Sequence, residues 1–194
     1  MKLIQRIGRF SRNYLIDRRY GAFIGGTKKT PFAAAGANDT ANVSYRELPP
    51  LFNGIVRPDD ILVDVGCGRG RVLNWWLDHY PGHRIYGIEL DSEVADQVAE
   101  RLREHPVIVL AGDARMVVPP DGSLFFAYNP FNAEVMIGFL EALKRRAAPG
   151  ARVIYYNCIH LDVFEADKDC SVVPIQMPKG CHKAAMITIG APRG

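Results

Sequence analysis

Three glycines, Gly66, Gly68 and Gly70, fall at alternate positions just after Asp64, in the run ILVDVGCGRGRVL over residues 61–73. A short apolar strand that ends in an acid and enters such a turn brings backbone, not side chains, against a ligand. Glycine adopts positive φ and lacks the Cβ that would block the approach. The helix expected to start near Arg69 adds free N–H groups at its first turn. Glu89 closes the next strand, RIYGIE, 25 residues after Asp64. A carboxylate at that place can accept hydrogen bonds from both hydroxyls of a ribose. Gly112-Asp113-Ala114 follows the third strand, where an acid can accept from an exocyclic purine amine and a small neighbour leaves room for the ring. Asn129-Pro130-Phe131 follows the fourth, again at the carboxyl edge where such sheets bind ligands. Each signal alone is weak; four at successive strand ends point to an adenosine-containing ligand.

The elements that must position these residues alternate along the chain. Strands are predicted at Ile61–Val65, Arg84–Glu89, Val107–Ala111, Ser123–Tyr128 and Arg152–Asn157. Helices are predicted at Arg69–His79, Ser92–His105 with Ser92 as cap, and Asn132–Ala147. Such alternation implies an α/β fold with a doubly wound, mostly parallel sheet. Ser171–Gln176 and Ala184–Ile189, with Pro178 and Gly180 between them, read as an antiparallel pair that finishes the sheet. Upstream, Tyr45–Val56 has one apolar helical face, with Pro49 and Pro50 in its first turn. Residues 22–44 show no period and read as a long loop of the kind that often serves as a lid. The GGTKKT stretch within it lacks the spacing of a phosphate loop.

Bulk properties bound the class. The 194 residues are 48% hydrophobic and 23% charged, ordinary for one globular domain, and a net charge of +3 does not by itself argue for nucleic acid. Cys67, Cys158, Cys170 and Cys181 include no C-x-x-C pair, so they read as free thiols in a reducing, cytoplasmic setting and not as a zinc site. No apolar run reaches the roughly 18 residues of a membrane span. Residues 1–21 are too often interrupted by Arg and Gln for a signal-peptide core, yet Leu3, Ile4, Ile7, Phe10, Tyr14 and Leu15 fall at helical spacing. The expected division is an N-terminal helix and loop extension over 1–44 and a ligand-binding domain over 45–194.

VDVGCGRGRVL, GIELD, GDA and FFAYNPF together resemble the successive motifs of class I S-adenosylmethionine-dependent methyltransferases. The resemblance covers about residues 45–190 and implies a Rossmann-like methyltransferase fold with a seven-stranded sheet and an antiparallel C-terminal strand. It implies S-adenosylmethionine as cofactor, leaving S-adenosylhomocysteine as product. Asp64, Gly66 and Gly68 would surround its methionine part and sugar, with Cys67 inside the same turn. Glu89, with Leu90 beside it, would hold the ribose, and Asp113 and Ala114 would flank the adenine. More distantly the chain is similar to seven-strand lysine methyltransferases of the nucleosome-core histone type and the ATP-synthase c-subunit type.

Amino-group methyltransferases often carry N/D-P-P-Y/F after the fourth strand, where Asn129-Pro130-Phe131 lacks the second proline. Phe131 then either stacks on a flat target or packs on the next helix. Asn129 is the better candidate for contact with acceptor or cofactor, and Tyr20, Tyr128 and His160 are candidate bases for an acceptor that arrives protonated. Asp17, Arg18, Arg19 and Tyr20, with Gly21 as hinge, read either as part of a lid or as a solvated helix end. The expected acceptor is a nitrogen, a protein lysine among the candidates, with a small molecule or RNA as alternatives. No metal cluster is evident, nothing points to DNA, and the oligomeric state is left open. Two other classes remain: an NAD-dependent oxidoreductase, which pairs a glycine turn with a strand-end acid at different spacing, and an inactive methyltransferase-fold interaction module.

Overall fold

The computed structural model describes residues 13–26, 29–38 and 42–190. Seven strands form one sheet: β1 Leu62–Val65, β2 Ile85–Glu89, β3 Val107–Ala111, β4 Leu124–Tyr128, β5 Arg152–Tyr156, β6 Cys170–Ile175 and β7 Ala184–Ile189. Their order is β3-β2-β1-β4-β5-β7-β6. β1 to β5 run parallel, whereas β7 runs antiparallel to both β5 and β6. The strand order reverses at β1, between β2 and β4, and an open sheet of this kind binds ligands outside its carboxyl edge at that point. The glycine turn, Glu89, Gly112 and Asn129 all lie at this edge, at or just after strand ends.

β1 is buried along its whole length because helices cover both faces of the sheet. Alternation sorts the strand side chains between two cores. Val63, Val65, Phe125, Ala127, Val153 and Tyr155 face helix α5 (Ala133–Arg146) and Phe164 of α6 (Asp162–Glu165). Leu62, Ile85, Leu124, Phe126, Ile154 and Tyr156 face the one-turn α2 (Pro49–Phe52) and α3 (Arg71–His79). Helix α4 (Ser92–Arg101) adds Val98 to the second core.

Two helix expectations need correction. Tyr45–Val56 is not one helix but a 3-10 turn at Tyr45–Glu47 followed by α2. Pro49 and Pro50 have no N–H to donate back to Tyr45 and Arg46, and Gly54 at φ 77° turns the chain away just past α2. The cap of α4 is Asp91, not Ser92: its Oδ1 accepts from the amides of Glu93 at 3.1 Å and Val94 at 3.3 Å. The helix also stops at Arg101, short of His105. Asn132 caps α5 by accepting from Val135 N, and three basic residues in its last turn suit the helix dipole.

The chain before α2 is tied to α3 from within. Residues 13–19 are helical, here α1, and the helix turns out through Gly21 at φ 87°. Asp17 is fully buried against Arg71, whose Nη2 lies 2.6 Å from Oδ2, while Tyr45 donates its hydroxyl to Oδ1 at 2.8 Å. Arg101 reaches across from α4 to the carbonyls of Tyr20 and Arg69, both at 2.8 Å. Asp17 is therefore an internal anchor and no solvated helix end. The expected apolar face at Leu3, Ile4, Ile7 and Phe10 lies outside the described residues.

Candidate functional site

The glycine turn is fixed by two hydrogen bonds to one acceptor: the amides of Gly66 and Cys67 both donate to the Ile88 carbonyl at 2.9 Å. Gly66, Gly68 and Gly70 have φ of 71°, 51° and 80°. At Gly66 a Cβ would also sit 2.9 Å from Cβ of Pro130, so both conformation and space require glycine there. The turn aims the amide of Gly68 at Glu89, donating to Oε2 at 2.8 Å, while Asp91 N donates to Oε1 at 3.1 Å. Burial raises the Glu89 carboxyl, and these amides oppose the rise by favouring the ion.

These residues wall a cleft of about 810 Å³, open mouth included, at the carboxyl edge. Gly66, Cys67, Gly68, Glu89, Leu90, Asp113 and Ala114 line it, as do Tyr128 and Phe131. Asp113 is gripped by Arg115, whose Nε and Nη2 donate to the carboxylate at 2.6 to 3.0 Å and hold it below the usual carboxylate range. It is thus ionised and acceptor-only, suited to an exocyclic amine. Burial pushes the Cys67 thiol well above its ordinary value, which keeps it protonated on the cleft wall.

Other predicted residues fall elsewhere. Asp64 is 3% exposed and not on the cleft wall. Burial foremost, then the Glu89 charge, pushes its carboxyl well above the carboxylate range. Asn129 also misses the wall: at φ 40° its side chain turns to Tyr155, which donates its hydroxyl to Oδ1 at 2.9 Å. Tyr20 is not brought to the cleft. Its hydroxyl donates to Asp78 Oδ1 at 2.7 Å, and burial raises it, so it is a structural donor. His160 is likewise absent from the wall; its backbone amide lies 3.3 Å from the Tyr155 oxygen. Tyr128 is on the wall, but burial and then Glu47 raise its hydroxyl, which keeps it protonated. Phe131 packs on α5 with its ring 5.7 Å from Phe139 and also lines the cleft, so its packing contact does not exclude the stacking one.

The sequence marked residues 22–44 as a lid-like loop but did not single out the residues that make it the far wall. Asn38 donates its amide N–H to Pro130 O at 2.9 Å and its side chain to the carbonyls of Asn129 and Phe131 at 2.8 and 3.1 Å. A bridge between Ala37 and Phe131 and the bond from Asn132 N to Gly36 O continue the seam. The loop is thereby laid across the strand edge, and Thr30, Asn38 and Asn42 join the lining. Its only advance signal was its length. Among the described residues no three His, Cys, Asp or Glu side chains group as a metal site, and no helix is long and apolar enough to cross a membrane.

Residues 62–151 match the family model described as a methyltransferase domain. The chain is 31% identical over 140 residues to the "Probable tocopherol O-methyltransferase, chloroplastic" of Oryza sativa subsp. japonica, covering 66% of this chain and 38% of that protein. It is 28% identical over 120 residues to the H3 lysine-79 specific histone-lysine N-methyltransferase of Dictyostelium discoideum, covering 52% and 6%. The chain thus spans less than half the length of these curated relatives. Among solved structures, a methyltransferase from Pyrococcus furiosus superposes with a TM-score of 0.68 at 15% identity, over 96% of this chain and 98% of that one. An S-adenosylmethionine-bound amino pentose methyltransferase from Micromonospora echinaspora gives 0.55 at 14% identity, over 75% and 88%.

Proposed function

We propose that this chain, whose residues 62–151 match the methyltransferase-domain model, is a class I methyltransferase that moves a methyl group from S-adenosylmethionine to an acceptor nitrogen. The observation that carries the reading is Glu89: a cleft-lining carboxylate oriented by two backbone amides, directly across a turn whose Gly66 leaves no room for a side chain. The residues present fit the cofactor. Glu89 would accept from the ribose hydroxyls, Gly66 and Gly68 would let the sugar and methionine part approach the backbone, and Asp113 with Ala114 would take the adenine. Bound there, S-adenosylmethionine supplies a methyl group on a positively charged sulfur, open to in-line displacement by an acceptor's lone pair.

The chain's part is alignment and exclusion of water, which supply most of the acceleration in such a transfer. Tyr128 and Phe131 shape the acceptor end, and the Asn38 seam closes the cleft over the strand edge. The nitrogen rests on the resemblance of Asn129-Pro130-Phe131 to the strand-end motif of amino-group methyltransferases; of the three, Pro130 and Phe131 line the cleft while Asn129 turns to Tyr155. The relatives include a protein named for transfer to oxygen and one named for a histone lysine, so their names support methyl transfer and leave the acceptor to be tested.

Calorimetric titration with S-adenosylhomocysteine beside NAD tests the cofactor. Binding of the former alone is the expected result, and binding of NAD alone refutes the reading in favour of an oxidoreductase. Isotope-labelled methyl transfer to amine and hydroxyl acceptors then separates nitrogen from oxygen.

A further inference from the structure

Three rings and a carboxylate cluster beside the end of the glycine cleft, and of these Tyr128, the last residue of β4, lines the cleft itself. The Tyr128 ring centre lies 5.0 Å from Tyr156 and 5.9 Å from His182, and the latter two lie 5.5 Å apart. Tyr156 is fully buried; its hydroxyl donates to Glu47 Oε2 at 3.1 Å and accepts from the His182 amide at 3.3 Å. It therefore holds both the carboxylate and the imidazole-bearing backbone in place. The Glu47 charge reaches Tyr128, where it adds to burial in raising the hydroxyl. Its only ion-pair contact among the described residues is Arg46 Nε at 3.9 Å, a half-exposed side chain of the kind that contributes little.

His182 also lines a second cleft, of about 960 Å³ with its open mouth, between α6 and the β6–β7 hairpin. Leu161, Val172, Pro174, Ile175 and Met177 give it apolar walls, and Lys179 and Lys183 line it as well. The Tyr128–His182 contact is thus the partition between the two clefts.

We propose that Glu47, Tyr128 and His182 form the acceptor subsite, that it binds a single alkylammonium group, which passes one proton to solvent before its nitrogen lone pair can attack, and that the second cleft receives the apolar stem behind it. The proposal rests on the first cleft being the cofactor site. An aromatic face and a partly buried carboxylate attract a cation and repel an anionic acceptor. A neutral alcohol could donate one hydrogen bond to the carboxylate but would gain no ion pairing and no attraction to the ring face, and the apolar walls suit an unbranched stem. Lys179 and Lys183 outnumber Glu165 on the walls of that cleft and set its sign against a polycation, so the amine belongs to a neutral or acidic body. Tyr156 is a positioning residue: it touches no ligand and acts through Glu47.

The full chain, saturated with S-adenosylhomocysteine, is titrated with n-butylammonium chloride and separately with n-butanol at matched ionic strength, followed by NMR. The ammonium is expected to saturate and the alcohol to bind at least about tenfold more weakly. Glu47→Gln and, independently, Tyr156→Phe are expected to bring the two affinities toward equality while leaving affinity for S-adenosylhomocysteine unchanged. The pair guards against one variant failing to fold. No saturation by the ammonium, equal binding of the alcohol, or a preference unchanged in the variants overturns the subsite. Failure of the parent chain to bind S-adenosylhomocysteine overturns the cofactor reading instead, and is seen before any amine is added.

Discussion

Glu89→Gln is the most exacting perturbation of the cofactor site, because glutamine keeps the shape and removes only charge and one acceptor. In the native cleft the two carboxylate oxygens accept from amides on opposite sides, Gly68 at 2.8 Å and Asp91 at 3.1 Å. Either orientation of a glutamine amide turns its NH2 against one of those donors. One backbone N–H is then left without an acceptor, at a cost of about 1–3 kcal/mol. The bound ribose also loses a charge-assisted acceptor and keeps a neutral one, a further ~1 kcal/mol. In the free variant the turn relaxes to relieve the donor clash and binding must bring it back, so part of that cost falls on the affinity and the rest on stability. The expected loss in affinity for S-adenosylhomocysteine is about 2–3 kcal/mol, or roughly 30- to 150-fold. Titration calorimetry measures it, with a thermal melt of each protein alone to show that both are folded. A variant that binds within about threefold of the parent, a difference under ~0.7 kcal/mol, refutes the placement of the ribose on Glu89.

Asp64 carries a pH dependence of definite sign. Its carboxyl is raised in the folded state, so its contribution to stability is present below its unfolded value and lost as pH rises through the raised one. Asp64→Asn should therefore melt higher than the parent at pH 8, with the gap closing toward pH 4; a gap that ignores pH removes Asp64 from the account. Gly66→Ala should cost about 1–3 kcal/mol from its positive φ alone and lower the melting temperature by roughly 2–12 °C. The Pro130 contact adds to this, and Gly54→Ala, at φ 77° with nothing within 4 Å, measures the backbone share by differential scanning calorimetry. Asp17→Asn leaves buried Arg71 without its counter-charge and should cost about 3–5 kcal/mol by urea denaturation. Adding Arg71→Met should recover part of that, and no recovery would mean that the pair is not the anchor.

The strand pattern was readable because strands covered on both faces must be largely apolar, as β1, β2, β4 and β5 are, and the edge strand β3 is apolar as well although only partly covered. Val107–Ala111 coincides with β3, and the others agree to within one residue at an end. Cap choice was less visible: Asp91 and Ser92 are both good caps, and only the geometry of the turn gives Asp91 two amides. The glycine turn and the acid after β2 were legible because backbone conformation restricts residue type at those places. Tyr20 misled because a tyrosine beside a glycine says nothing about which side of the helix it packs on. Asn38 and Tyr155 were invisible for another reason. Asn38 meets Asn129 and Phe131, 91 and 93 residues away, and Tyr155 meets Asn129 across 26, and no local pattern encodes such pairings.

Sorting side chains by strand parity into two cores leaves both tryptophans, Trp75 and Trp76, on one side of the sheet. Trp76 is fully buried and its indole N–H meets no acceptor among the described residues, while Trp75 stacks on His79 at 4.3 Å. Intrinsic fluorescence thus watches only the layer of α2 and α3, with a blue emission that reddens when that layer opens. The α5 layer holds no tryptophan. It is silent to tryptophan emission, although Tyr155 lies in it, and circular dichroism is needed to follow its helix. Unfolding curves from the two signals that coincide mean that the sheet couples its faces into one cooperative unit. Curves that separate assign the earlier transition to a particular side of the molecule without any label.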